Sequence, residues 1–226
     1  MDRIIRHVLF DLDGTLADTA PDLADTLNQV LREQGRPSLP FDRIRPTVSH
    51  GSVYMLSIAF GIGTQEPGFT ELRNRFLEIY AGCLCNRTRL FQGVLDLLDW
   101  LESTGRSWGI VTNKPDKLTQ PLLRLLDIHH RTRCIVSGDT LEFSKPHPAP
   151  MLHACKLLDC DPAKTLFVGD ARRDVEAGRN TGMPTLIAGY GYIGPDDEPE
   201  SWGADGMVNE PGDIIEWIDN FKKEEE

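Results

Sequence analysis

Residues 8–14 read VLFDLDG, so an apolar run near the start of the chain ends in two carboxylates, Asp11 and Asp13. The run from residue 4 to residue 10 has the length and composition of a buried strand. Gly14 marks a turn directly after it. The stretch therefore predicts a buried strand that carries two negative charges at its carboxyl end.

Four more apolar runs of similar length follow, and helical patterns separate most of them. The predicted strands are residues 4–10, 107–111, 133–136, 165–168 and 184–188. The predicted helices of this part are residues 94–101, 115–126, 150–158 and 171–181. Strands that alternate with helices favour an α/β fold with a doubly wound, mostly parallel sheet.

One region departs from this alternation. Residues 20–85 contain no convincing strand, whereas residues 22–33 and 70–80 have helical periodicity. We interpret residues 17–87 as a helical insertion after the first strand. Residues 1–16 and 88–226 then form the α/β core.

The charge of the chain limits its partners. Its 226 residues include 24 Lys and Arg against 35 Asp and Glu, which gives a net charge of −11. This balance argues against nucleic acid, because phosphate backbones are bound by clusters of Lys and Arg. A small anionic substrate is compatible with it, since a metal ion and one or two cations can reverse the charge locally.

The five cysteines include no CxxC pair, so neither a disulfide framework nor a zinc site is indicated. Cys83 and Cys85 are more simply two thiols on a helix or loop. Unpaired thiols fit the reducing cytosol best. The apolar segment at the N-terminus is short and is broken by Arg3, Arg6 and His7. We therefore expect neither a signal peptide nor a membrane span.

Polar side chains stand at or near the ends of the predicted strands. They are Asp11, Thr112, Asn113, Lys145, Asp170 and Asp174. Because ligands of an open parallel sheet bind outside the carboxyl ends of its strands, we expect these side chains to converge. Carboxylates held together repel one another unless cations intervene, and their oxygens suit Mg²⁺, which also binds substrate phosphate. With Lys145 as a further cation, the set is typical of a phosphoryl-transfer site.

These motifs resemble those of the haloacid dehalogenase superfamily, in the same order along nearly the whole chain. The matching elements are DxDGT at residues 11–15, Thr112-Asn113, Lys145 and GDxxxD at residues 169–174. The stretches DLDGTLADTAPDL, VTNKP, SKPHPAP and LFVGDARRD further resemble the phosphoglycolate phosphatase group. That group carries a helical cap at the position of the insertion.

The resemblance implies separate roles for the two carboxylates of the opening stretch. Asp11 would attack phosphorus and form an aspartyl-phosphate, which divides hydrolysis into two steps. Asp13 would protonate the leaving oxygen and then activate water. The Mg²⁺ ligands implied are Asp11, the backbone carbonyl of Asp13, and Asp170.

The remaining motif residues would serve the phosphoryl group. Thr112 and Asn113 would hold it through hydroxyl and amide donors, although either could instead cap the following helix. Lys145 would neutralise the phosphoryl oxygens, with Lys114 as a nearby alternative. Asp174 would act through water or orient Lys145, or else be a helical carboxylate at a helix N-terminus.

Two further positions are less specific. His50 and Gly51 are candidates for a contribution of the cap to specificity, because related caps present a Gly-containing loop there. A lone His is as readily structural. Arg172 and Arg173 lie inside the last motif and are interpreted as surface or rim residues, with a substrate contact possible.

The resemblance implies a phosphatase acting on a small phosphorylated metabolite. A sugar phosphomutase shares the same four motifs, and a non-catalytic metal- or phosphate-binding module on the same fold is a second alternative. The segments at residues 189–195, 201–205 and 67–69 resemble N-acetylmuramic acid 6-phosphate phosphatases. We therefore rank N-acetylmuramic acid 6-phosphate ahead of 2-phosphoglycolate as substrate. The residues do not decide between monomer and dimer.

Overall fold

The computed structural model of the protein describes residues 4–221. Its strands are β1 (His7–Phe10), β2 (Ala17–Asp18), β3 (Arg89–Leu90), β4 (Ser107–Val111), β5 (Ile135–Val136), β6 (Thr165–Gly169), β7 (Thr185–Ala188) and β8 (Gly206–Val208). Its α-helices are α1 (Ala20–Glu33), α2 (Phe41–Ile44), α3 (Gly51–Phe60), α4 (Phe69–Ala81), α5 (Val94–Ser103), α6 (Asp116–Leu125), α7 (Ala149–Leu158), α8 (Arg172–Arg179) and α9 (Asp213–Asn220).

Six of the strands form one parallel sheet in the order β5-β4-β1-β6-β7-β8. β1 lies between β4 and β6, where Phe10 is opposite Ile110 on one side and Val168 on the other. The α/β fold with a mostly parallel sheet, predicted from the sequence, is confirmed.

Both faces of β1 are buried. Val8 and Phe10 belong to a hydrophobic cluster with residues of α5, α6 and α9, whereas Leu9 belongs to a second cluster with residues of α7. Alternate residues of a strand point to opposite faces of the sheet, so helices on both faces require apolar residues at every position. This explains the continuous apolar run before Asp11.

Along the chain, helices α1–α4 come between β2 and β3, and these two strands pair as a short antiparallel ribbon. They have a hydrophobic cluster largely of their own, which includes Leu27, Leu56 and Phe76. Leu118 and Tyr192, from the other part of the chain, also belong to this cluster. We call residues 20–81 the cap helices. The division at residues 16/17 and 87/88 stays a prediction.

Several elements differ from expectation. β1 begins at His7 rather than at residue 4. β8 and α9 were not predicted, and α3 begins at Gly51, where a loop was expected. Within residues 4–221, no helix is long and apolar enough to cross a membrane.

Candidate active site

The parallel sheet brings the predicted side chains to one edge. Asp11 follows β1, Thr112 follows β4, and Asp170 follows β6. Backbone hydrogen bonds continue the sheet for one more step, from Asp11 N to Val168 O and from Thr112 N to Val136 O, each 2.9 Å. The polar side chains thus begin where the sheet ends, as the strand pattern predicted.

Lys145 forms the centre of a buried ion-pair group. Its Nζ lies 3.0 Å from Oδ1 of Asp11 and 2.8 Å from Oδ1 of Asp174, and it donates a hydrogen bond to Val111 O at 2.6 Å. Burial opposes ionisation of Asp11, but the charges of Lys145 and Arg173 outweigh it and hold the pKa of Asp11 below its ordinary value. Asp11 is therefore available as a carboxylate.

Asn113 fixes the loop that carries this lysine. Its Nδ2 donates to Lys145 O at 2.9 Å, and Lys145 N donates to its Oδ1 at 3.0 Å. The predicted contact of Asn113 with a phosphoryl group stays a prediction. Helix α6 has Pro115 at its N-cap and no side-chain cap, so neither Thr112 nor Asn113 caps it.

Asp170 lies beside Asp11 and Asp174 in a cluster whose three candidate ligand oxygens are within 4.8 Å of one another. Burial, followed by the neighbouring charges of Asp11 and Asp174, raises the pKa of Asp170 to about 7. Oδ2 of Asp170 accepts hydrogen bonds from Ser49 Oγ at 2.5 Å and from Tyr192 N at 3.0 Å. Ser49 comes from the cap helices, so the cap reaches this carboxylate.

The cluster fits a hard divalent cation such as Mg²⁺. Within residues 4–221, Oδ1 of Asp174 accepts no hydrogen bond although Lys145 forms an ion pair with it. Because the pKa of Asp170 is raised, any added positive charge would stabilise the ionised form of its carboxyl group. Carboxylate oxygens are the donors that Mg²⁺ prefers. The carboxylate of Asp13, in contrast, is not part of the cluster; its predicted contribution is through the backbone carbonyl.

Asp13 has different partners from Asp11. Thr19 Oγ1 donates to Oδ1 of Asp13 at 2.6 Å, and Lys114 Nζ lies 2.9 Å from the same oxygen. Lys114 also donates to Oη of Tyr80, on α4, at 2.8 Å. Asp11 is thus paired with the buried Lys145, whereas Asp13 is paired with Lys114, which contacts the cap helices.

A cavity of about 340 Å³ opens above these groups. Residues from the sheet edge line it, among them Asp11, Asp13, Thr112 and Asn113. Residues of the cap helices form the opposite wall and include both His50 and Gly51. The role of these two residues in specificity stays a prediction.

Sequence reasoning missed or undervalued several residues of the site. Arg172 is exposed as expected, but Arg173 lines the cavity, with its NH2 3.8 Å from Oδ2 of Asp11. Lys114, considered only as an alternative to Lys145, contacts Asp13 instead. Ser49 was not identified. Arg173 and Lys114 stand next to motif residues, which is a usable signal, whereas nothing in the sequence marks Ser49.

A family model described as haloacid dehalogenase-like hydrolase matches residues 8–188. The chain belongs to this family. It is similar to the N-acetylmuramic acid 6-phosphate phosphatase of Pseudomonas putida, with 41% identity over 96% of this chain and 97% of that protein. It is also similar to the phosphoglycolate phosphatase of Xanthomonas campestris pv. campestris, with 42% identity over 95% of this chain and 96% of that protein.

The fold is also similar to that of a solved structure. The crystal structure of a predicted phosphoglycolate phosphatase from Haemophilus somnus superposes with a TM-score of 0.85 and 29% identity. The match covers 96% of this chain and 99% of that one. Together with the named relatives, it identifies the chain as a phosphoric monoester hydrolase of the haloacid dehalogenase-like family.

Proposed function

We propose that the protein is a Mg²⁺-dependent phosphatase that hydrolyses a small phosphorylated metabolite through an aspartyl-phosphate on Asp11. The observation that supports this most is the pairing of Asp11, which lines the cavity, with the buried Lys145. This pairing holds the pKa of the Asp11 carboxyl below its ordinary value in a site where burial alone would raise it.

The first step transfers the phosphoryl group. A carboxylate oxygen of Asp11 forms a bond to phosphorus as the bond to the ester oxygen breaks, and Asp13 gives its proton to the departing alkoxide. In the second step, Asp13 takes a proton from water as the water oxygen attacks phosphorus and the bond between phosphorus and the Asp11 oxygen breaks. Inorganic phosphate leaves, and the Asp11 carboxylate and the protonated Asp13 are regenerated.

Cations are needed because a phosphate dianion approaches a carboxylate. Lys145 and Arg173 supply two of them near Asp11. Asp11, Asp170 and the carbonyl of Asp13 would hold Mg²⁺. When bound, the metal supplies further positive charge to the phosphoryl oxygens.

For the substrate, we place N-acetylmuramic acid 6-phosphate first and 2-phosphoglycolate second. Relatives that carry each name match this chain at similar identity. The cavity volume of about 340 Å³ lies in the range of sites for metabolite-sized ligands and exceeds what a two-carbon acid needs.

The test is Mg²⁺-dependent release of inorganic phosphate from a panel of esters. The panel contains para-nitrophenyl phosphate, both candidate substrates, sugar phosphates and nucleoside monophosphates. We expect activity to be lost in Asp11→Asn and kept in Asp96→Asn, since Asp96 is exposed on α5. The proposal fails if no ester is hydrolysed, or if Asp11→Asn keeps full activity. A preference for phosphoglycolate of more than about tenfold in kcat/KM would reverse the order of the substrates.

A further inference from the structure

One face of α4 contributes a cation to the cavity. Arg73, Phe76, Leu77 and Tyr80 all line it. These positions are spaced by three, four and seven residues, so they form a single helical stripe. Three of the four positions are apolar or aromatic, and the helical pattern would place an apolar residue at the fourth. An arginine stands there instead.

The side chain of Arg73 is not satisfied by the protein. Within the part of the chain that the structure describes, its Nε is buried and has no hydrogen-bond partner. No carboxylate of residues 4–221 forms an ion pair with it. A buried donor without a partner is costly and therefore uncommon, so an acceptor group on a molecule bound in the cavity is a natural partner for it.

The other lysine and arginine side chains that line the cavity already face carboxylates. Lys114 pairs with Asp13, and Arg173 lies 3.8 Å from Asp11. Arg75, only two residues from Arg73 on the same helix, is engaged in ion pairs with Glu33 and Glu78 at the surface. Among these four cations, only Arg73 lines the cavity without a carboxylate partner in residues 4–221.

The position of Arg73 on α4 is also offset from the part of this helix that contacts the reacting groups. Tyr80 marks their position, because it accepts a hydrogen bond from the lysine that pairs with Asp13. Seven residues of α-helix separate Arg73 from Tyr80, which corresponds to roughly 10 Å along the axis. A ligand with its phosphate at Asp11 would therefore reach Arg73 only through a second group some distance from phosphorus.

We propose that Arg73 binds the carboxylate of the substrate and selects phosphorylated sugar acids in which carboxylate and phosphate are far apart. The inference rests on the proposed phosphatase function. Arginine presents a planar pair of donors that suits a carboxylate. In N-acetylmuramic acid 6-phosphate about eight bonds separate phosphorus from the carboxyl carbon, a span of roughly 10 Å when extended. In 2-phosphoglycolate three bonds separate them, or about 4 Å, which is less than half of the axial offset between Arg73 and Tyr80.

The experiment uses a matched pair of substrates. N-acetylglucosamine 6-phosphate has the same phosphorylated sugar as N-acetylmuramic acid 6-phosphate but lacks the lactyl carboxylate. We expect the unmodified protein to prefer the carboxylate-bearing sugar by at least about tenfold in kcat/KM, from one charged hydrogen-bonded contact. Arg73→Met should remove that preference, mainly by raising KM. Activity on N-acetylglucosamine 6-phosphate and para-nitrophenyl phosphate should stay within about twofold.

Two variants serve as controls. Arg75→Met removes a cation from the same helix outside the cavity and should leave the preference unchanged. Arg73→Lys keeps the charge and should restore part of the preference. The proposal is overturned if the unmodified protein does not distinguish the two sugars, or if Arg73→Met lowers activity equally on both. Failure of the phosphatase function itself would be recognised separately, because para-nitrophenyl phosphate would then not be hydrolysed by any variant.

Discussion

Asp170 is a buried carboxylate whose neighbours include two others. Its hydrogen-bond donors among residues 4–221 are the hydroxyls of Ser49 and Thr15 and the amide of Tyr192. Its pKa is raised to about 7 by burial and by Asp11 and Asp174. In the metal-free protein, Asp170 thus keeps a proton that the unfolded chain loses near pH 4. The folded state is destabilised as pH rises between these two values.

Asp170→Asn should remove the loss of stability that accompanies ionisation of the buried carboxyl group. We expect the metal-free variant to be more stable than the unmodified protein at pH 8, by about 5 °C in Tm, and to gain little at pH 4. Thermal unfolding with a chelator at both pH values measures the difference. Added Mg²⁺ should stabilise the unmodified protein and not the variant. An equal Tm difference at both pH values would contradict the assignment.

Lys114 is expected to position Asp13 for proton transfer. Lys114→Met should lower kcat by about tenfold or more on an alkyl phosphate, because general acid catalysis depends on the placement of the acid. The loss should be smaller on para-nitrophenyl phosphate, whose leaving group needs no proton. Lys117→Met is the control, since Lys117 is exposed on α6. Equal losses on the two esters would indicate a structural role only.

At this scale, sequence could predict the residues that stand at strand ends. Asp11, Thr112 and Asp170 converge because parallel strands place their carboxyl ends together. Arg73 and Ser49 could not be identified in this way. Their approach to the site depends on how the cap helices pack against the sheet edge, which no local pattern encodes.

The turn after β1 shows how an element shapes the site. Gly14 and Gly105 both have positive φ, +86° and +72°. A Cβ on Gly14 would lie 2.1 Å from Oδ2 of Asp170, whereas a Cβ on Gly105 would meet nothing within 4 Å. The backbone of this turn therefore approaches Asp170 so closely that only glycine fits.

Comparison of Gly105→Ala with Gly14→Ala should separate the energetic cost of backbone strain from the cost of the steric overlap with Asp170. Gly105→Ala should cost about 1 kcal/mol of unfolding free energy, from the left-handed conformation alone. Gly14→Ala should cost at least about 2 kcal/mol more, because the Asp170 side chain or the turn must shift. It should also weaken Mg²⁺ binding. Urea unfolding and a metal titration provide the readouts, and equal costs for the two variants would refute the explanation.

Strong local patterns decided which elements were predictable. The continuous apolar run of β6 and the amphipathic stripe of α1 gave clear signals. α3 did not, because its apolar residues are found on all sides: Met55 and Leu56 are buried, whereas Ile58 is 58% exposed. β8 has three residues, one of them glycine, and its position depends on pairing with β7.

The described part of the molecule consists of a parallel sheet flanked by helices, with the cap helices in contact with the loops at the carboxyl ends of the strands. The polar contacts that join these parts near the site include Ser49 with Asp170, Tyr80 with Lys114, and Arg45 with the carbonyls of Tyr190 and Gly191. The proposed aspartyl-phosphate mechanism requires that the site admit substrate and later control water, so we expect the cap to open and close.

Hydrogen exchange should detect this motion. With Mg²⁺ and vanadate as a phosphate analogue, amides of α3 and α4 should become more protected than in the free protein. Amides of α9, which packs against α5 on the sheet, serve as the internal reference and should not change. Identical protection of α3 and α4 with and without vanadate would argue against cap closure.

The central place of β1 in the sheet has a consequence for how the protein is made. Its two neighbours in the sheet follow 100 and 158 residues later in the chain, as the pairs Phe10–Ile110 and Phe10–Val168 show. At typical rates of translation, the second partner leaves the ribosome roughly ten seconds or more after β1. The cap helices emerge in between, so they can condense first. Meanwhile both edges of the nascent β1 remain unpaired, so we expect this segment to be prone to aggregation until its partners are made.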